Sequence, residues 1–184
     1  MDKAFGWIGE IFQSLLKLIP WLVIVPATHG GVAFVRGFRV KEWKPGLHWY
    51  WPVVTTYKLM ATVRQTQMIK SKTVMTKDMQ TVIVGALVTY YVDDIVSALA
   101  KIADLPSDIM ERSLEAILSE VSEGTLQSVQ ADRVAFNQAL TERVGKSLNG
   151  YGVRVLQAQL TEFAPCTAFS TRFAWQLVER LMPE

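Results

Sequence analysis

Apolar side chains in residues 1–27 recur at intervals of three and four positions, which places them on one face of an amphipathic helix. The face comprises Phe5, Ile8, Phe12, Leu15 and Ile19, and it is widened by Trp7, Ile11 and Leu16. The narrow opposite side is polar and includes Glu10 and Lys17. Pro20 is expected to end or kink this helix, and Pro26 interrupts the apolar run a second time.

Residues 1–27 are also the most hydrophobic part of the chain, and four interpretations of them compete. A cleaved signal peptide would have a positive start and a small-residue cleavage site, which Lys3 and Pro26-Ala27-Thr28 match only weakly. A spanning helix needs about 20 mostly apolar residues. Residues 5–27 have that length but contain two charges and two prolines. An interfacial amphipathic helix accommodates these interruptions, and a soluble helix packed on the domain is the fourth interpretation.

The pattern favours membrane attachment and leaves open whether the segment spans the bilayer or lies in its interface. The side chains predicted to anchor the protein are Phe5, Trp7, Ile8, Ile11, Phe12, Leu15, Leu16, Ile19, Trp21, Leu22, Val23, Ile24 and Val25. Only Lys3 precedes the apolar segment, whereas Arg36, Arg39, Lys41 and Lys44 follow it. If the segment inserts, the positive-inside rule places the main domain on the cytoplasmic side.

From residue 28 to residue 92 the periodicity changes to that of strands separated by turns. The clearest strand spans residues 80–92, where both alternating faces are fairly apolar. It is therefore expected to be a central strand covered on each side. Residues 42–54, EWKPGLHWYWPVV, combine aromatic side chains with turn residues, and Lys44-Pro45-Gly46 predicts a turn between two extended arms.

Three tryptophans of this stretch, Trp43, Trp49 and Trp51, are predicted to lie at a membrane surface, because they closely follow the apolar segment and tryptophan is enriched at such interfaces. Trp49 and Trp51 share one side of a strand, so they can act together. Basic residues interleave with aromatic ones over residues 36–72, which suits anionic headgroups and, taken alone, also a nucleic acid. Since the stretch adjoins the apolar segment, membrane lipid is the expected partner and nucleic acid is not.

Helical periodicity dominates the chain after residue 93. Asp94 is expected to cap a short helix through Ala103, Ser107 to cap a second helix, and residues 130–148 to form a third. A strand over residues 153–163 follows. A short terminal helix then carries Phe169, Phe173, Leu177 and Val178. The predicted fold class is α+β, with a β-rich first half and a helical second half.

Length and composition indicate a folded chain of one domain, or of two small ones that share a core: half of the 184 residues are hydrophobic and a fifth are charged. The formal net charge of +2 is too small by itself to indicate a nucleic-acid partner. The single cysteine, Cys166, excludes an intrachain disulfide and fits a reducing compartment.

An enzyme would need a catalytic constellation, for which Cys166 with His29 or His48 as its base is the candidate. The residues around Cys166 carry no nucleophile signature, and two histidines with one cysteine do not form a metal-ligand cluster. The glycine pairs lack the strand, loop and helix context of a phosphate loop. We therefore expect no catalytic, metal or cofactor site and no enzymatic activity.

A series of short motifs runs through the chain. In order, they are Gly31-Val32, Arg36-Gly37, Pro45-Gly46-Leu47-His48, Trp51-Pro52, Thr76-Lys77-Asp78, Tyr91-Val92-Asp93, Ile102-Ala103-Asp104, Arg133 with Phe136, Tyr151-Gly152-Val153 and Phe163-Ala164-Pro165. One such motif is weak, but this succession resembles the SPFH (stomatin, prohibitin, flotillin; band 7) family. The resemblance implies an SPFH domain at residues 28–166. An anchor at residues 1–27 precedes it and a short C-terminal helix at residues 167–184 follows it.

The resemblance further implies a stomatin-like or prohibitin-like scaffold that self-associates and organises membrane proteins, or regulates a membrane protease, in a membrane microdomain. Its protein partners would be those clients, further copies of itself, or other SPFH proteins. The chain ends about twenty residues after Pro165, short of the long coiled coil that usually follows this domain. This departure argues against a large closed cage and leaves open a small oligomer, packing with a longer SPFH protein, or a minimal version that modulates one. The alternative is a peripheral adaptor whose N-terminal amphipathic helix binds a partner protein.

Overall fold

The computed structural model of the chain describes residues 19–166. Within that part the strands are β1 (Trp21–Val25), β2 (His29–Val35), β3 (Arg39–Trp43), β4 (Gly46–Tyr50), β5 (Thr55–Ala61), β6 (Gln65–Met75), β7 (Thr81–Val92) and β8 (Val153–Pro165). The helices are α1 (Ile95–Ala100), α2 (Leu105–Glu123), α3 (Leu126–Ala131) and α4 (Arg133–Ser147). The prediction of a strand-rich first half and a helical second half is confirmed. The predicted terminal helix and most of the predicted anchor helix lie outside the described residues.

The described strands form three antiparallel sheets. β1 pairs with β4 in a two-stranded ribbon. A second sheet has the order β3-β2-β5, and a third has the order β6-β7-β8. All the strands of the ribbon and of the second sheet lie between residues 21 and 61, within the first third of the chain.

The β3-β2-β5 sheet separates two hydrophobic cores, because alternate residues of a strand point to opposite faces. Ala33 of β2 contributes to a small core with Val25 and Trp43. Its neighbour Val32 faces the main core, which also includes residues of β6, β7, β8, α1, α2 and α4. The ribbon therefore lies on the opposite side of the second sheet from the long helices.

The strand β7 is predicted to be covered on both faces, whereas within residues 19–166 helices cover only one. The face that packs against the helices is at most 5% exposed and consists of Val82, Val84, Ala86, Val88, Tyr90 and Val92. The alternate residues from Thr81 to Tyr91 are half-buried, apart from the buried Gly85. They lie between the flanking strands β6 and β8 and pack against neither α2 nor α4. An antiparallel sheet commonly has one such solvated face.

Helix α4 protects the outer edge of β8. The Asn137 side-chain oxygen accepts a hydrogen bond from the Leu160 N–H (3.2 Å), and the Thr141 hydroxyl accepts one from the Ala158 N–H (3.0 Å). An edge strand with free N–H groups invites pairing with another chain. These two side chains satisfy the groups from within the domain.

The helix boundaries differ from the prediction at three places. Helix α1 ends at Ala100 and not at Ala103. Helix α2 begins at Leu105, because the Asp104 carboxylate rather than the Ser107 hydroxyl caps it. The predicted helix over residues 130–148 is interrupted at Asp132, whose backbone is non-helical (φ −137°, ψ 81°). The Asp132 side chain accepts the Ala135 N–H and starts α4 there.

Candidate functional site

The outer face of the β1–β4 ribbon is uniformly apolar and exposed. In its register Leu22 lies opposite Trp49, and Ile24 lies opposite Leu47. Residues directly opposite in antiparallel strands share a face. Their exposed fractions are 45% for Leu22, 65% for Trp49, 69% for Ile24 and 56% for Leu47. We call these four residues the ribbon face.

The inner face of the ribbon packs on the small core through aromatic side chains. The rings of Trp43 and His48 are parallel, with centroids 5.0 Å apart, and Tyr57 stacks on Trp43 at 5.4 Å. Tyr50 meets both Trp43 and Tyr57 edge to face. His48 Nε2 donates to the Lys44 carbonyl (2.6 Å), which fixes the imidazole across the predicted turn. Partial burial raises the pKa of Tyr50 above its ordinary value, and Tyr57 acts in the same direction.

The prediction that Trp43 lies at a membrane surface is wrong, since it is only 4% exposed. Trp43 pairs with Gly31 at the end of β3, and a Cβ at Gly31 would lie 2.6 Å from Leu59 Cδ2. The missing side chain thus lets β2 and β5 pack closely beneath the indole. Trp43 and Trp49 are six positions apart, so one continuous strand would place both indoles on the same face. The turn between them instead ends β3 and starts β4, and Trp43 is buried whereas Trp49 is exposed.

Trp49 and Trp51 are exposed, as a surface role requires. Trp51 directly follows β4 and has half of its surface exposed. Whether these two side chains contact a membrane stays a prediction.

The residues assigned to the hydrophobic anchor divide into two groups. Phe5, Trp7, Ile8, Ile11, Phe12, Leu15 and Leu16 lie outside the described residues. The structure places Trp21–Val25 in β1 instead of a helix, with Val25 buried and Val23 half-buried against the small core. Ile19 and Trp21 are each about half exposed where the chain enters the domain. No helix within residues 19–166 combines the length and apolar character needed to cross a bilayer.

A second exposed apolar group lies at the Trp51 end of the ribbon, and sequence reasoning did not find it. The Arg36 N–H donates to the Val54 carbonyl (2.6 Å), which joins the β2–β3 turn to the segment after β4. Val53 and Phe38 are 63% and 69% exposed in these two segments. The Arg39 guanidinium lies 5.8 Å from the centre of the Phe38 ring. We call Arg36, Phe38, Arg39, Val53 and Val54 the tip.

The N-terminal segment joins the domain at this same end. Trp21, the first residue of β1, pairs with Tyr50, the last residue of β4. The Trp51 carbonyl then accepts hydrogen bonds from the Val54 N–H (3.1 Å) and the Thr55 N–H (2.9 Å). The ribbon face, the tip and the entry of the apolar N-terminal segment are therefore neighbours.

The three residues of the candidate catalytic constellation each have a hydrogen-bond partner outside it. The Cys166 N–H donates to the Thr81 carbonyl (2.7 Å) and continues the β8 pairing. The His29 ring hydrogen-bonds Thr28, and His48 is held in the aromatic cluster. Within residues 19–166 no hydrogen bond joins Cys166 to either histidine, and no group of three ligating side chains is close enough to hold a metal ion.

These features define a small α+β domain with an exposed apolar surface. Residues 23–180 match the model of the SPFH domain / Band 7 family, and the chain belongs to that family. SPFH proteins are generally non-catalytic scaffolds and are often associated with membranes.

Relatives with similar sequences come from archaea and a giant virus. An uncharacterized protein of Archaeoglobus fulgidus is 26% identical over 85% of this chain and 63% of its own length. One of Methanocaldococcus jannaschii is 26% identical over 98% of this chain and 91% of its own length. A band 7 family protein of Acanthamoeba polyphaga mimivirus is 26% identical over 72% of this chain and 44% of its own length. The chain thus spans less than two thirds of the first and third of these relatives.

Proposed function

We propose that this protein is a membrane-anchored SPFH scaffold. In this proposal it self-associates at the cytoplasmic side of a membrane and organises membrane proteins or regulates a membrane protease, without catalytic activity of its own. The observation that carries the membrane part is the ribbon face, which is apolar throughout and lies where the apolar N-terminal segment joins the domain.

The exposure of the ribbon face supports a binding role on energetic grounds. Single exposed apolar residues are ordinary, but a contiguous patch of large ones marks a surface for a partner or a membrane. Tryptophan is favoured at the level of lipid headgroups, and Trp49 lies on this face with Trp51 directly after it. A bilayer would cover the ribbon face, Trp51 and the tip together, because all three adjoin the N-terminal segment.

Replacing both Trp49 and Trp51 with serine in the full chain is expected to weaken its association with lipid vesicles about ten- to a hundredfold. The estimate assumes that each indole buries roughly 30–50 Å² of its surface in the bilayer, at about 25 cal/mol per Å², or about 1.5–2.5 kcal/mol for the pair. The domain should stay folded, because both side chains are already exposed. Titration of the chain with vesicles in a flotation assay measures the affinity, and circular dichroism checks the fold.

The matched comparison is a chain that lacks residues 2–18 but retains β1. This deletion removes the predicted anchor and leaves the pairing of Trp21–Val25 with β4 intact. Loss of vesicle binding on deletion, with further weakening by the two serines, supports the anchored scaffold. Unchanged lipid binding in the double variant would show that Trp49 and Trp51 do not contact the bilayer. A full chain that binds no vesicles would instead favour the adaptor alternative, in which a partner protein covers the apolar surfaces.

Self-association is tested by the mass of the detergent-solubilised full chain. A scaffold is expected to form a defined particle of several copies at micromolar concentration, and light scattering after size-exclusion chromatography gives its mass. A chain that stays monomeric under these conditions would count against the scaffold. The adaptor alternative predicts a monomer that enlarges only when its partner is added.

A further inference from the structure

The charges of the described residues are strongly divided along the chain. Residues 19–77 contain nine lysines and arginines and one acidic residue, Glu42. Residues 78–166 contain six basic and twelve acidic residues. The modest net charge of the whole chain hides this division, because the two parts nearly cancel.

Four of the nine basic residues of the first part lie beside the apolar surfaces. Arg36 and Arg39 belong to the tip, and both are exposed. Lys41 follows on the same edge strand, and Lys44 lies in the turn that leads to the ribbon face. None of the four ion pairs found within residues 19–166 involves any of these side chains. Their charges are therefore not neutralised by an ion pair within the described domain.

The acidic residues of the second part are concentrated on the helices. Asp108, Glu111 and Glu115 are spaced by three and four along α2, which places them on one side of it. Helix α2 packs on β6 and α4, within the main core. The β3-β2-β5 sheet separates this core from the ribbon. The apolar surfaces thus share their side of the molecule with uncompensated positive charge, and the negative charge lies beyond the sheet.

We propose that the ribbon face and the tip bind a bilayer that contains anionic lipids, with Arg36 and Arg39 at the headgroup level and the acidic helices directed away. This inference rests on the proposed membrane function and deepens it by naming the lipid class and the orientation. A positive rim around an apolar centre matches a negatively charged surface over a hydrocarbon interior. The acidic helices would be repelled by the same surface, so the charge distribution favours the orientation in which the tip faces the membrane.

The Phe38–Arg39 pair gives the tip an apolar ring suited to the hydrocarbon layer and a cation suited to the anionic headgroup layer. The Phe38 ring is 69% exposed, and the guanidinium lies over it rather than in an ion pair. Arginine keeps its charge in water while its stem covers apolar surface. The same residues can therefore insert a ring below the headgroups and hold a cation among them.

The experiment compares binding of the full chain to vesicles of phosphatidylcholine alone and to vesicles with about 30 mol% phosphatidylserine, across a range of salt concentrations. Each basic residue near an anionic surface strengthens binding about fivefold. The R36Q/R39Q variant is therefore expected to lose roughly twentyfold in affinity for the serine-containing vesicles and little for phosphatidylcholine. The matched control is R133Q/K146Q, which removes two exposed basic residues of α4 and is expected to retain the preference.

The outcomes separate this inference from the function on which it rests. A preference for anionic vesicles that salt weakens, that R36Q/R39Q loses and that R133Q/K146Q keeps supports both. Equal binding of the unmodified chain to the two kinds of vesicle, or equal losses in the two variants, overturns the anionic-lipid inference and leaves membrane attachment standing. Binding to neither kind of vesicle overturns both proposals.

Discussion

Replacing Trp43 with alanine is expected to lower the free energy of unfolding by about 3–5 kcal/mol, the usual cost of truncating a buried large aromatic residue. The indole is 4% exposed, stacks on His48 and Tyr57, and meets Tyr50 edge to face. Its removal opens a cavity between the ribbon and the second sheet that backbone movement can fill only in part. Urea unfolding followed by circular dichroism measures the loss.

The control for this variant is Trp49→Ala, six residues further along. Trp49 is 65% exposed on the outer face of the same ribbon, so its truncation is expected to change stability by about 0.5 kcal/mol or less. In a vesicle-binding assay under conditions in which both variants are folded, the Trp49 variant is expected to bind lipid more weakly and the Trp43 variant to keep its affinity. Similar stability losses for the two would show that the aromatic cluster does not hold the ribbon on the domain.

The opposite environments of Trp43 and Trp49 also show where sequence reasoning stops. Alternation within one strand is local, so β7 and the α+β character could be predicted from the sequence. The turn at Lys44-Pro45-Gly46 could be predicted as well, but its geometry decides how the two arms face one another. Gly46 has a φ of +137°, so the backbone direction there does not follow from either strand. A pattern of aromatic residues therefore cannot say which indole is buried.

The sequence predicted only part of the exposed apolar surface, because the rest of it depends on contacts between distant segments. Trp49 and Trp51 stood out by residue type, whereas Leu47 and Ile24 are ordinary strand residues. Their shared face depends on the pairing of β1 with β4 across more than twenty residues of chain. The tip is formed where the β2–β5 pairing and the hydrogen bond between Arg36 and Val54 bring two distant segments together. Such contacts between distant segments carry no signal in a single sequence.

Replacing Gly152 with alanine is expected to destabilise the domain by roughly 3 kcal/mol or more, because two costs add. The φ of +72° disfavours any residue with a side chain by about 1–2 kcal/mol. An added Cβ would also lie 2.2 Å from the Asp94 carbonyl oxygen and 2.9 Å from the Ala98 nitrogen. Both atoms belong to the backbone, so a side-chain rotation cannot relieve the overlap. Thermal and urea unfolding measure the effect.

Gly150→Ala separates the two costs, because Gly150 also has a positive φ, +88°, but a Cβ there would meet no atom within 4 Å. This variant is expected to lose only the conformational part, about 1–2 kcal/mol. Equal losses at the two positions would mean that the close approach of β8 to α1 contributes nothing.

The larger loss at Gly152 should begin at α1, since the Gly152 carbonyl accepts the N–H groups of Asp93 (2.9 Å) and Asp94 (3.0 Å) just before this helix. Helix α1 in turn packs on the second sheet, where Ile95 occupies the space above Gly30. In the Gly152 variant, amide hydrogen exchange is therefore expected to accelerate more in α1 and β2 than in β7. Uniform acceleration throughout the described domain would show instead that the two cores unfold as one unit.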